Sequence, residues 1–112
     1  MTMLSLKIED VKLEIFLPKS HLNILRETLC AVSAGVVGNY DSVISYSTVR
    51  GNWRPLPGAD PYDGEVGVLC EGEEYKVEVR CRAENLAKTI AAIKAIHPYE
   101  EPVINAIPII VY

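Results

Sequence analysis

Val11, Leu13, Ile15 and Leu17 alternate with Lys12, Glu14 and Phe16. Side chains along a strand point to opposite faces in turn, so this period of two predicts a strand with one face on a core. Pro18 ends it. Ser20 is placed to cap a helix, because its hydroxyl can accept from an unpaired amide of the first turn. Leu22, Leu25, Leu29 and Val32 recur at helical spacing and give one apolar stripe, with Arg26 and Glu27 toward water. Gly35, tolerant of a left-handed backbone, is expected to stop this helix. Gly38 to Asp41 has the composition of a turn. The β-branched and hydroxyl residues from Val43 to Arg50 then predict a second strand.

The cleanest alternation lies in Glu73 to Arg82. Tyr75, Val77, Val79 and Cys81 face one way, and Lys76, Glu78, Arg80 and Arg82 the other. A second, alanine-rich helix is predicted from about Glu84 to Ile96, with Leu86, Ala87, Ile90 and Ile93 inward. Pro98 denies residue 97 an easy helical conformation and closes it. Val103 to Tyr112 reads as a strand apolar on both sides: Val103, Ile107, Ile109 and Val111 on one, Ile104, Ala106 and Ile110 on the other. Pro108 cannot donate to a ladder, which places this strand at a sheet edge. An edge with two apolar faces calls for a partner chain to cover it.

Between the second and third strands, Gly51 to Gly67 holds Pro55, Pro57 and Pro61 among its glycines, and no regular element is expected there. Trp53, Leu56, Tyr62 and Val66 are more apolar surface than a solvated linker needs, so this long loop is expected to carry function or to pack on a partner. The order strand, helix, strand, strand, helix, strand predicts an α+β, ferredoxin-like βαββαβ sandwich. Two helices cover one face of a four-stranded antiparallel sheet whose first and third strands are central. The 112 residues suit a single domain, with residues 1–10 as an N-terminal extension.

A formal net charge of -4, with Arg50, Arg54, Arg80 and Arg82 scattered among acids, argues against a nucleic-acid partner. The first ten residues include Lys7, Glu9 and Asp10 and resemble neither a signal peptide nor a membrane span, so a cytoplasmic location without membrane attachment is the expectation. Cys30, Cys70 and Cys81 are far apart and form no CxxC pair; free thiols are expected rather than disulfides or a zinc site of standard spacing.

Candidate chemistry is concentrated in His97-Pro98-Tyr99-Glu100-Glu101. His97 with Glu100, Glu101 or a thiol such as Cys30 could bind a divalent ion, zinc or copper. The alternative has His97 capping the helix end, where a donor meets free carbonyls. Asn39, Asp41, Trp53 and Arg54 are candidates for ligand binding: Asn39, Asp41 and Arg54 could line a cleft between subunits in which Arg54 pairs a small anionic molecule. Ser20 and Ser42 lack a neighbouring base, and neither Glu73-Glu74 nor Glu100-Glu101 shows an acid–base division of labour, so no catalytic residue is assigned.

Gly35-Val36-Val37-Gly38-Asn39-Tyr40-Asp41, Trp53-Arg54-Pro55-Leu56-Pro57-Gly58-Ala59-Asp60-Pro61 and His97-Pro98-Tyr99-Glu100-Glu101, in that order, resemble the inserted domain of the Nif-three-like proteins (NGG-one interacting factor three, or YqfO). The likeness runs from about Val11 to the C-terminus. It implies a fold like the CutA and PII signalling proteins, assembly as a homotrimer through sheet edges, and a long loop between the second and third strands. The dinuclear metal site of full-length members lies in flanking segments that have no counterpart in this sequence. His21 and His97 are too few for such a centre, so the resemblance implies a non-enzymatic module of regulatory or protein-interaction type. Trp53, where a smaller aromatic is usual, and Asp60, where an amide is common, depart from the pattern.

Overall fold

The alternation beginning at Val11 forms the first strand, β1 (Asp10–Leu17), of the computed structural model, which describes residues 7–112. There follow α1 (Leu22–Ala31), β2 (Ile44–Trp53), β3 (Cys70–Arg82), α2 (Leu86–Ile96) and β4 (Ile104–Ile109). The strands make one antiparallel sheet in the order β2-β3-β1-β4, with β1 and β3 central and β4 at an edge. This is the ferredoxin-like α+β arrangement. Of the N-terminal extension expected over residues 1–10, residues 1–6 lie outside the described residues, and Asp10 already opens β1.

The core follows from the strand periods. Val11, Leu13, Ile15 and Leu17 lie opposite Cys81, Val79, Val77 and Tyr75 in the β1–β3 register, so both central strands turn one apolar row the same way. Leu22, Leu25 and Leu29 of α1 and Ile93 of α2 close over those rows. Burying each such side chain contributes roughly 1.5–3 kcal/mol. Ala87, expected inward on α2, is exposed, and Thr89 is fully buried instead. Thr89 is tolerated there because its hydroxyl donates to the Asn85 carbonyl one turn back, at 2.8 Å. Cys81 is buried as expected, and burial pushes its thiol pKa up.

The ends of α1 differ from the sequence reading. Ser20 does not cap the helix. The His21 amide donates to the Pro18 carbonyl at 3.0 Å, which starts a tight turn over Lys19–His21 and puts Ser20 inside it, its hydroxyl 2.9 Å from His21 Nδ1. Nor does Gly35 stop the helix. Ser33 takes the left-handed position with φ +63°, and Ala34 N–H reaches back to Leu29 O at 2.9 Å while Ser33 N–H donates to Cys30 O at 3.1 Å, the paired bonds of a Schellman ending. Gly35 has a different task. Its N–H donates to Arg80 O and its C=O accepts from Val43 N–H, pinning the chain beside β3. A Cβ at this φ of +74° would come within 3.1 Å of Val43 O and 3.2 Å of Val79 Cγ2.

Two strands run to other limits than expected. β2 continues through Gly51 and Asn52 to Trp53, and β3 begins at Cys70, pairing Gly51 with Gly72 and Trp53 with Cys70. The irregular connection is correspondingly shorter. Since β1 pairs with β3 only as far as Tyr75, the Cys70–Glu74 end of β3 is held by β2 alone and forms a two-stranded ribbon. β4 is shorter than the reading of Val103 to Tyr112, and its faces are unequal. Ile104 lies opposite Ile15 and packs on the core, whereas Ile107 lies opposite Lys12 on the face away from the helices. Pro108 sits opposite Val11 on this edge strand.

That open face carries its charge in a lattice. Glu14 and Glu78 are direct cross-strand partners, a repulsive pairing, but Lys12 Nζ lies 2.9 Å from Glu78 and Lys76 Nζ 3.2 Å from Glu14. Each lysine answers the carboxylate diagonally across the pair.

The packing around Gly35 generates a stability prediction. Gly35→Ala adds left-handed strain of about 1–2 kcal/mol and crowds Val43 and Val79 besides. Its urea midpoint is expected to fall, whereas Gly38→Ala, at a turn with open space around the Cβ position, is expected to lose less.

Candidate functional site

At the ribbon end of the sheet, two sequence segments that stand far apart in the chain meet. Trp53, the last residue of β2, lies over Gly72 of β3; a Cβ on Gly72 would be 3.2 Å from the indole, so the missing side chain makes the seat. The connection from Arg54 to Leu69 then folds back on that ring. Trp53 Nε1 donates to the Asp63 carbonyl at 2.9 Å, Gly67 N–H to Pro55 O at 2.8 Å, and Pro55 is buried. Gly64, with φ +113°, passes so close that a Cβ there would meet Cys70 Sγ at 2.9 Å and Trp53 Nε1 at 3.0 Å. Trp53 and Pro55 are thus held within their own chain, whereas Leu56, Tyr62, Val66, Val68 and Leu69 stay exposed.

The second segment is the exit of α2. Pro98 forces His97 into an extended conformation (φ -75°, ψ 130°), which ends the helix and turns the chain toward the loop. His97 is buried. Its Nε2 lies 2.6 Å from Phe16 O, and its Nδ1 accepts from the Tyr99 amide at 3.2 Å. A carbonyl can only accept and an amide can only donate, so these partners fix the neutral tautomer with the proton on Nε2. Burial holds the His97 pKa below the ordinary imidazole value, against the opposing pull of the Phe16 carbonyl. Tyr99 donates its phenol to Glu74 Oε2 at 2.8 Å, and burial, with that carboxylate second, raises its pKa far above the ordinary phenol value. Glu100 Oε2 accepts the Asp60 amide at 2.8 Å, and the Tyr62 and Tyr99 rings lie 5.7 Å apart. One hydrogen bond and one ring contact therefore latch the loop to the helix exit.

A cavity of about 520 Å³ remains between ribbon, loop and helix exit. Trp53, Tyr62 and Tyr99 supply aromatic walls, and Asp63, Glu73 and Glu74 supply carboxylates. Lys19 reaches the rim, pairing with Glu73 at 3.0 Å and lying 5.5 Å from the centre of the Tyr75 ring. That lysine holds the Glu73 carboxyl below its usual range.

The residues singled out from sequence are distributed as follows. Trp53 lines the cavity, while Arg54 is exposed past the end of β2. Asn39 and Asp41 are exposed in and beyond the tight turn closed by Val37 and Tyr40, before the Ile44 end of β2. A strand rises about 3.3 Å per residue, so the length of β2 separates them from Trp53 and Arg54 within one protomer. Any cleft uniting the four would have to form between copies. Glu101 is exposed, Cys30 is half-buried on α1, and both ring nitrogens of His97 are engaged. Among the described residues, no group of three or more histidine, cysteine, aspartate or glutamate side chains is arranged to hold a metal ion. In the set of His97 with Glu100 and Glu101, the imidazole lone pair accepts from the Tyr99 amide and Glu100 Oε2 from the Asp60 amide. Sequence reasoning missed Tyr62, Asp63 and Glu74 as cavity residues. The signal was present for Tyr62, in the surplus of apolar residues in the loop.

Residues 65–111 match the family described as CutA1 divalent ion tolerance protein. Over 98 residues the chain is 36% identical to a GTP cyclohydrolase 1 type 2 homolog from Halalkalibacterium halodurans, covering 88% of this chain and 26% of that protein. Over 99 residues it is 35% identical to the protein of the same name from Bacillus subtilis, with the same coverages of 88% and 26%. The chain thus spans about a quarter of the length of these curated relatives. Among solved structures, a Bacillus cereus protein related to NIF3 superposes with a TM-score of 0.79 at 30% identity, over 94% of this chain and 27% of that one. The periplasmic divalent cation tolerance protein CutA from Archaeoglobus fulgidus superposes with a TM-score of 0.66 at 20% identity, over 89% of this chain and 83% of that one, a likeness of fold. Strand order and these likenesses agree that the chain is similar to the CutA-like domain of NIF3-related proteins.

Proposed function

We propose that this module is a non-enzymatic, homotrimeric unit of regulatory or protein-interaction type. One observation carries the reading: the open side and the end of β4 leave several large apolar residues uncovered. Val103, Ile107, Ile110, Val111 and Tyr112 are all exposed, beside an edge strand with one free rim of backbone donors and acceptors. Such a surface is a template for another chain. Ile104 needs no outside cover, since it packs on its own core, so the demand falls on one face and the C-terminal residues. The threefold number is the one the likeness to CutA and PII proteins implies. In such an assembly Asn39 and Asp41 of one copy could meet Arg54 of another, which is where a small anionic ligand would belong.

The relatives' name points to GTP chemistry, but this segment makes up a quarter of their length. The side chains here support a module without turnover. His97 is buried with both nitrogens engaged, and His21 Nδ1 is 2.9 Å from the Ser20 hydroxyl. No nucleophile–base–orienter set is formed by these groups. Among the described residues no helix is long and apolar enough to cross a membrane.

In this reading His97 is a tie between the α2 exit and the end of β1, and its titration has a definite sign. Its folded pKa lies below the unfolded value of 6.5. The stability it contributes is complete above pH 6.5 and is lost as the pH falls toward the folded pKa, because the unfolded chain takes up the proton first.

Light scattering is expected to give a mass near three times the 12.4 kDa protomer. Ile107→Lys with Ile110→Lys is expected to reduce it to one protomer with the circular dichroism unchanged. A monodisperse 12.4 kDa species of the unaltered chain at micromolar concentration overturns the assembly. Urea unfolding as a function of pH is expected to show stability falling below pH 6.5, a slope that His97→Ala removes. The same variant is expected to lose about 1–3 kcal/mol at neutral pH for its stranded partners, with metal content unchanged and negligible. GTP turnover by the 112-residue chain is expected to stay at background.

A further inference from the structure

The cavity between ribbon, loop and helix exit has a charge pattern that selects a ligand class. Lys19 is the sole cationic side chain among its lining residues, and Glu73 already claims it at 3.0 Å, with Arg50 a further 3.7 Å neighbour of the same carboxylate. Glu74 and Asp63 belong to none of the ion pairs within 4.0 Å among the described residues. Glu74 spends Oε2 on the Tyr99 phenol and keeps Oε1. Asp63 uses its backbone carbonyl, not its carboxylate, to hold Trp53. Two carboxylates without a cation thus stand in one cavity with three aromatic rings.

An anion entering here meets like charge, and an uncharged apolar molecule leaves the carboxylates unanswered. An organic cation answers both features, because aromatic faces attract positive charge and carboxylates form charge-assisted hydrogen bonds with N–H donors. A volume of about 520 Å³ suits a small molecule or a side chain rather than a bare ion. The walls are set before any ligand arrives: Trp53 is held by Gly72, Gly64 and the Asp63 carbonyl, and the loop is latched by Asp60 to Glu100. We propose that this cavity binds an organic cation, an ammonium or guanidinium group set among Trp53, Tyr62 and Tyr99 and paired with Asp63 and Glu74. The site is built within one protomer and does not depend on the proposed trimer.

Trp53 is the only tryptophan in the chain, so its fluorescence reads the cavity directly. The test titrates the full chain with L-argininamide and with tetramethylammonium chloride at constant ionic strength, following fluorescence and, in parallel, calorimetric heat. A saturable response to either probe is expected. Argininamide alone points to hydrogen-bonded pairing with the carboxylates, and tetramethylammonium to the aromatic walls. Glu74→Gln, which keeps an acceptor for Tyr99, is expected to weaken argininamide by about tenfold or more. Tyr62→Ala is expected to weaken tetramethylammonium, and Tyr62→Phe, which keeps the ring and its contact with Tyr99, to bind it like the unaltered chain. The inference is overturned if neither probe gives a saturable signal or heat, if sodium chloride gives the same response, or if inorganic phosphate saturates the site while both cations fail.

Discussion

The structure depends on one constraint, the register between β1 and β3. These strands are central, and their alternate residues must turn the same way for either helix to have something to cover. A slip of β1 by one residue against β3 would send Lys12 and Glu14 beneath the helices and put Leu13 and Ile15 into water. Burying these two charges, parted from Glu78 and Lys76, costs more than a domain of this size can bear. The charge lattice on the opposite face reinforces the same alignment, since Lys12 reaches Glu78 and Lys76 reaches Glu14 only in this pairing. Both faces of the central pair thus specify one alignment, the apolar side through burial and the polar side through diagonal charge.

Everything at the candidate site is downstream of that register. With β3 fixed, its N-terminal end overshoots β1, and β2 follows it to Trp53. Gly72 then lies where a large ring can rest, and the proline-rich connection has an object to wrap. On the other side the end of β1 offers the Phe16 carbonyl to His97, which brings Tyr99 and Glu100 to the same place. The cavity is what remains between these two approaches.

Much of this was legible in the sequence, because the periods are strong. The alternation in Val11–Leu17 and in Tyr75–Cys81 is carried by residues buried or half-buried in the core, and the edge position of β4 was readable from Pro108. What could not be read was decided by contacts between distant residues. The continuation of β2 through Gly51 runs against glycine's poor strand propensity, and it holds because β3 supplies a partner at every position. Ser33 ends α1 in a position where glycine is the usual choice, while Gly35 serves a close approach to β3 that nothing local announces. The pairing of Glu100 with the Asp60 amide spans forty residues and leaves no local pattern. The same holds for Glu74, which accepts from Tyr99 across twenty-five residues of chain.

The ribbon formed by the end of β2 and the Cys70–Glu74 part of β3 has a consequence of its own. An isolated pair of strands is marginal in water, and this one lacks the sheet neighbour that steadies the rest of β3. Its stability therefore rests on the contacts of Trp53 with Gly72, Gly64 and the Asp63 carbonyl, and the cavity exists only where they hold. A molecule settled against Trp53 would do more than occupy a recess: by mass action it would stabilise the very contacts that shape this end of the sheet.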